Sequence, residues 1–136
     1  MDDADRFAAL AGERHISLTT FRRDGTAAST PVWVVSDDSR RLLVWSGANT
    51  WKVKRIRRDP RVRVTPCDAK GRVNGEPLDG VARLLGPETE SLVEPLLRAK
   101  YGLLKRGLDL LNAFLRLLAR RPKPAAEYIE ILPAPH

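Results

Sequence analysis

The sequence predicts a mainly β (α+β) fold, an antiparallel sheet or barrel with helical additions. Short β-rich runs separated by turn residues fill most of the chain up to Gly86, and helical periodicity is confined to a brief insert after the third strand and a long stretch before the last. Strictly alternating strand–helix–strand units are missing, which argues against a doubly wound parallel sheet. With 136 residues, 43% of them hydrophobic and 30% charged, the chain is sized and composed for a single folded domain, 1–136, able to bury about two-thirds of its unfolded surface.

Residues 6–14 read as a short helix with Phe7 and Leu10 on one face, followed by a strand at 15–21. Arg23-Asp24-Gly25 is a turn signal, and the small and β-branched residues of 27–35 make the second arm of a hairpin. Pro31 lies inside that arm. A proline cannot donate to a ladder, so the stretch belongs at an edge, at a bulge or where something other than a strand approaches. After a polar turn at 36–40, residues 42–45 form a third strand, broken by the small polar loop Ser46-Gly47-Ala48-Asn49-Thr50.

From Trp51 the pattern turns helical, with Trp51, Val53 and Ile56 apolar, Asn49 or Thr50 as the cap, and Asp59-Pro60 as the stop. Val62 and Val64 alternate with Arg61, Arg63 and Thr65 as a strand buried on one face, bounded by Pro66. Gly71 and Asn74-Gly75 mark a loop before a fifth strand at 78–85. Residues 88–120 form a helical pair, split near Gly102 or Gly107, whose second member repeats leucine at 104, 108, 111, 115 and 118 as a strong amphipathic stripe. Arg120-Arg121-Pro122-Lys123-Pro124 ends it, and residues 127–132 return as the last strand.

Twenty-four Lys and Arg against seventeen Asp and Glu give a net charge of +7, which biases the chain toward nucleic acid, anionic lipid or a phosphorylated small molecule. The single Cys67 and only two histidines, His15 and His136, exclude an internal disulfide and leave zinc without its common ligands, so no metal is expected. The acidic start Met1-Asp2-Asp3 differs from a signal peptide, and no apolar run approaches the roughly 18 residues of a span. A cytoplasmic location without a membrane span is the expectation.

The densest feature is Lys52, Lys54, Arg55, Arg57, Arg58, Arg61 and Arg63, seven cations in twelve residues. A solvated helix face would explain a charge run. Here, however, Lys52, Lys54 and Arg55 fall in the first turns of their helix, where the macrodipole disfavours cations. An anion at the helix start would reverse that cost, engaging backbone N–H groups, the Ser46 and Thr50 hydroxyls and these cations together. Residues 46–55 are therefore the leading anion site. No Walker loop or three-glycine dinucleotide fingerprint accompanies it. The 6% aromatic content and the lack of common nucleic-acid motifs give no specific nucleic-acid partner. Nucleophilic hydrolysis is unsupported too, since no Gly-x-Ser-x-Gly elbow exists and Cys67 has no histidine partner. Trp33 and Trp45, though tryptophans usually pack in cores, could form a flat wall beside the anion loop, which suits an aromatic phosphorylated cofactor such as a flavin. Such a cofactor carries the redox chemistry itself, so no catalytic dyad need be visible, and none is assigned.

The motifs Ser17-Leu18-Thr19-Thr20-Phe21 with Asp24-Gly25, Ser29-Thr30-Pro31-Val32-Trp33, Leu43-Val44-Trp45-Ser46-Gly47, Thr50-Trp51-Lys52-Val53-Lys54-Arg55-Ile56 and Arg58-Asp59-Pro60-Arg61-Val62 occur in an order that resembles the split β-barrel flavin and deazaflavin oxidoreductases. This is the pyridoxamine 5′-phosphate oxidase-like superfamily, and the likeness is greatest to its actinobacterial F420-dependent branch. It extends over Lys100-Tyr101-Gly102-Leu103 and the final strand. The resemblance implies a six-stranded antiparallel split β-barrel, the FMN-binding split barrel, with short helices and a C-terminal helical pair before the last strand. It further implies a homodimer holding its cofactor in a groove at the interface.

In FMN-binding members of that superfamily a Ser/Thr and a Lys one residue apart hold the phosphate, and Thr50 and Lys52 match them. Ser46 matches a hydroxyl residue at the end of the preceding strand. Lys54 and Arg55 extend the basic surface toward a deazaflavin's polyglutamate tail, and Thr30, Pro31, Val32 and Trp33 line the ring; Trp51 completes the implied cofactor set. FMN oxidases of this kind carry a phosphate-binding arginine where Ala28, Ser29 and Thr30 stand here, a departure that favours F420 over FMN. The resulting expectation is an F420-dependent reductase moving a hydride between the cofactor and a small organic substrate. The alternatives are an FMN-dependent oxidoreductase and a non-enzymatic carrier of F420, FMN or haem. A third reading takes the leucine-rich helix with Lys105, Arg106, Arg116 and Arg120 as a membrane-surface element; packing on the barrel or on a dimer partner is the expectation preferred to it, because so broad an apolar stripe needs burial.

Overall fold

The computed structural model describes residues 3–37, 40–119 and 126–135. A short helix α1 (Asp3–Ala9) and a 3₁₀ turn (Leu10–Gly12) set Phe7 and Leu10 into the core. Strands β1 (His15–Phe21) and β2 (Ala27–Val32) then form the expected hairpin, turned at Gly25 with φ of 87°. Two residues, Val34–Val35, make β3, and β4 (Leu42–Gly47) follows antiparallel to it. Helix α2 (Trp51–Arg58) leads into β5 (Arg61–Cys67) and β6 (Leu78–Leu84). The long helix α3 (Glu90–Ala119) and β7 (Ala126–Pro133) complete the order.

All pairings are antiparallel, in the order β2-β1-β5-β6-β7-β4-β3. The two ends of this order are consecutive in the chain, separated by Trp33 alone. One bent segment thus pairs with β1 through Val32 and with β4 through Val34, so the sheet curls back on itself as a split barrel. This accounts for seven strands where six were expected: the single strand predicted at 27–35 breaks at Trp33, where it changes partner.

Other boundaries shift for local reasons. The third strand runs through Ser46 and Gly47, assigned to a loop from sequence, because β7 continues alongside to the Gly47↔Ala126 pair. Likewise β5 passes Pro66 and ends at Cys67. Its pairing with β6 stops at Val64↔Leu78, and beyond it this side holds only the Asn74 N–H donating to the Pro66 carbonyl at 2.9 Å and an isolated Cys67↔Val73 bridge, so the donor that Pro66 lacks is tolerated at this margin of the sheet. The helical pair emerges as α3 broken at Gly102 rather than Gly107, with φ of 53° and ψ of −126°. The helix stop placed at 120–124 lies outside the described residues.

Inside the barrel Ile16, Leu18, Val44, Val64, Ile129 and Ile131 are fully buried, with Phe7 and Leu10 closing one end and Val53 and Ile56 of α2 packed against the same cluster. Gly80 permits the closest approach there, since a Cβ at that position would sit 3.0 Å from Ile131 Cγ2 and 3.1 Å from the Leu132 carbonyl. A second core lies on the outer face, where Val93, Leu97 and Tyr101 of α3 cover Val35, Leu43 and Tyr128. Beyond the Gly102 break, α3 has no buried apolar side chain among the described residues: Leu103, Leu110, Phe114 and Leu117 are all more than half exposed.

Candidate functional site

The split lies between β2 and β4. Continuing the Val34↔Val44 register would set Trp33 beside Trp45 and Val32 beside Ser46, but the ladder ends at Val34 and β2 turns away to β1. Helix α2 begins just after β4 leaves this opening. Its first turn holds no acidic residue and no side-chain cap, although Thr50 occupies the cap position. The reason is local. Thr50 Oγ1 lies 2.9 Å from Ser46 Oγ and 3.1 Å from the Gly47 carbonyl, so the hydroxyl turns back to brace the loop and leaves the first N–H groups of the helix uncapped. Ser46, only 1% exposed, donates to the Gly47 carbonyl at 3.0 Å, which makes it an internal support for the junction.

Cations frame this junction. Lys52 is half-buried, has no hydrogen-bond or ion-pair partner among the described residues, and is held below the ordinary lysine pKa by that burial. Trp51 is 68% exposed, with Lys54 Nζ 4.8 Å and the Arg55 guanidinium carbon 5.8 Å from its ring centroid. Arg55, Arg57 and Arg58 sit in the last turn, where the dipole favours cations, so the uncompensated charges are those at the start. The uncapped N–H groups of the first turn and, on that same turn, a half-buried Lys52 without a partner among the described residues constitute a donor set suited to a phosphate-class anion. Further along, Asp59 receives two bonds from the Arg61 guanidinium, so part of the sequence's charge run is internally neutralised.

The predicted site residues thus divide. Ser46, Thr50, Trp51, Lys52, Lys54 and Arg55 come together at the junction. The other four occupy the bent strand. Thr30 is half-buried and Pro31 exposed, whereas the Val32 side chain joins the barrel core. The Trp33 ring stacks on Tyr101 at 4.3 Å with planes 10° from parallel, so one of its faces is committed to packing. Trp45, 46% exposed, keeps a free surface.

Two residues without an assigned role in the sequence hold the bend in place. The Tyr101 hydroxyl accepts from the Val34 N–H at 2.9 Å and donates to the Arg14 carbonyl at 2.8 Å. Lys100 Nζ donates to the carbonyls of Ala11, Glu13 and Val34 at 2.7, 2.5 and 2.6 Å. A tyrosine and a lysine at the end of an apolar helical stripe are the only sequence trace of this clamp. Cys67 is buried, and burial with nearby Asp68 and Glu13 pushes its thiol pKa up, which keeps it protonated and inert. Among the described residues no group of three or more His, Cys, Asp or Glu is arranged to hold a metal, and no helix is long and apolar enough to cross a membrane.

The family profile described as pyridoxamine 5′-phosphate oxidase matches residues 3–119. The chain belongs to the pyridoxamine 5′-phosphate oxidase family. No curated protein sequence matches it significantly. Solved structures similar to this family member include the protein Atu2129, of unknown function, from Agrobacterium tumefaciens, with 18% identity and a TM-score of 0.66. That alignment covers 96% of this chain and 53% of the other, so the chain spans about half the length of that structural relative. An F420 reductase aligns with 16% identity and a TM-score of 0.60, over 93% of this chain and 92% of its own. A pyridoxamine 5′-phosphate oxidase-related, FMN binding protein from Nostoc punctiforme aligns with 16% identity and a TM-score of 0.59, over 96% and 76%. At these identities the likeness establishes the split-barrel fold of the family.

Proposed function

We propose that this pyridoxamine 5′-phosphate oxidase family member is an F420-dependent reductase acting on a small electron-poor organic substrate. The observation that carries the reading is Lys52: a half-buried cation without a partner among the described residues, beside an uncapped helix start, in a chain of net charge +7. A phosphate-bearing redox cofactor fits that donor set. The N–H groups of the first turn and Lys52 would hold its phosphate, with Thr50 and Ser46 bracing the loop. Exposed Trp51 and Lys54, with half-buried Arg55 beside them, offer a basic surface for an acidic tail, and Thr30, Pro31 and the neighbouring bend at Val32 and Trp33 flank the ring. When bound, the deazaflavin supplies hydride transfer, and the chain's own residues bind, orient and shield it.

The strand positions Ala28, Ser29 and Thr30 offer no arginine to a compact flavin phosphate, which favours F420 over FMN. FMN is the second reading, supported by the similarity to the FMN binding protein of Nostoc punctiforme. In both readings the working unit is a homodimer, because exposed Trp45 and Trp51 give one barrel only part of a cofactor groove. Turnover separates a reductase from a carrier. Reduced F420 mixed with the protein and a panel of enones and quinones should be oxidised in a substrate-dependent manner. Binding without oxidation across the panel would make the protein a carrier instead.

A further inference from the structure

The second half of α3, residues 103–119, faces the wrong way for a helix of a lone soluble barrel. Leu103, Leu110, Phe114, Leu117 and Leu118 are 81, 71, 57, 75 and 66% exposed. In the same segment Lys105 and Arg116 are the most covered residues, and Leu108, at the margin of the apolar face, is 39% exposed. The polar stripe is the side turned to the protein. Lys105 Nζ reaches Glu94 at 3.0 Å and Asp109 at 2.6 Å with its side chain only 11% exposed. Residues eleven apart in a straight helix are about 16 Å apart along the axis, so this contact requires the break at Gly102 and fixes the apolar face outward.

We infer that residues 103–119 lie on an anionic membrane surface. At about 100° per residue the leucines and Phe114 spread over roughly half the circumference, which suits a flat apolar boundary better than the narrow stripe of a two-helix seam. Charge supports the same occupant. Lys105 is neutralised by Glu94 and Asp109, which leaves Arg106 and Arg116 as the cations of this segment, and the sequence continues with Arg120, Arg121 and Lys123 before the next acid, Glu127. Because no helix among the described residues is long and apolar enough to cross a membrane, the segment lies in the interface instead of spanning it.

The test is flotation of the full chain with vesicles of phosphatidylcholine alone or mixed with phosphatidylglycerol. The protein should float with the anionic vesicles, more weakly as salt screens the charges but not to zero. The double variant Leu110→Asn/Leu117→Asn alters two strongly exposed positions, so its barrel stays folded while vesicle affinity falls roughly a hundredfold. Its elution volume in size exclusion should match that of the unchanged protein. Absence of flotation, flotation indifferent to the double substitution, or a smaller assembly in the double variant would each overturn the inference. The last outcome would assign the face to a second copy.

Discussion

Trp33 and Tyr101 stack with ring centroids 4.3 Å apart, joining the bend of the barrel to the helix that covers its outer face. The tyrosine hydroxyl satisfies the buried Val34 N–H immediately beyond the bend. Replacing Tyr101 with Phe keeps the stack and strands that donor. We expect a loss of about 1–3 kcal/mol in urea unfolding, accompanied by weaker cofactor binding, because Thr30 and Pro31, proposed to flank the cofactor ring, immediately precede this bend. An unchanged midpoint would show that the hydroxyl does not hold the bend.

Lys52 should display opposed effects on stability and binding. Its folded-state pKa is lowered by burial, so keeping it charged costs stability in full below that pKa, and the penalty fades as pH rises from the folded value to the ordinary lysine value. Lys52→Met therefore raises the melting temperature of the cofactor-free protein at neutral pH. The same change removes a charge-assisted contact and weakens anion binding by about tenfold or more. A calorimetric melt and a binding isotherm on the same variant check both signs.

Two glycines of α3 should respond in opposite directions. Gly102 takes a positive φ of 53° that side chains rarely adopt, although open space surrounds it. Gly102→Ala should cost about 1–3 kcal/mol through the backbone alone and loosen the Lys105–Glu94 ion pair. Gly107 is helical with nothing within 4 Å of an added Cβ, so Gly107→Ala should stabilise by about 0.5–1 kcal/mol. Denaturant midpoints of the two variants measure the contrast.

Acid should destabilise the turns first. Backbone N–H bonds from Thr26 hold the Asp24 carboxyl below its ordinary pKa, the Arg61 side chain does the same for Asp59, and the Arg72 backbone for Asp68. Carboxylates with lowered folded-state pKa add stability that is present above the ordinary value near 4 and is lost as pH falls through the folded one. Melting temperatures should decline below about pH 4, and the triple variant Asp24→Asn, Asp59→Asn, Asp68→Asn should flatten that decline.

Local chemistry was readable from sequence wherever it decided the element. The period-two pattern of Val62 and Val64, the turn at Asp24-Gly25 and the helix from Trp51 all stand as read. The break at Trp33 was not readable, because residues 27–32 and 34–35 have the same β character and only the change of partner, a tertiary event, separates them. The cluster from Ser46 to Arg55 was visible as charge at a helix start. That the Ser46 and Thr50 hydroxyls both turn back onto the loop was invisible, since their bond depends on how β4 meets α2. The outward leucines of α3 also escaped: the stripe predicts a buried face, and the kink at Gly102 turns it away from the barrel.

The central claim concerns the anion held at Lys52. Titrating the purified protein with F420 and separately with FMN, followed by cofactor fluorescence, measures it most directly. The account predicts saturable micromolar or tighter F420 binding that Lys52→Met weakens, with FMN the poorer ligand. Tight FMN binding with none for F420, or F420 binding indifferent to Lys52, would contradict it.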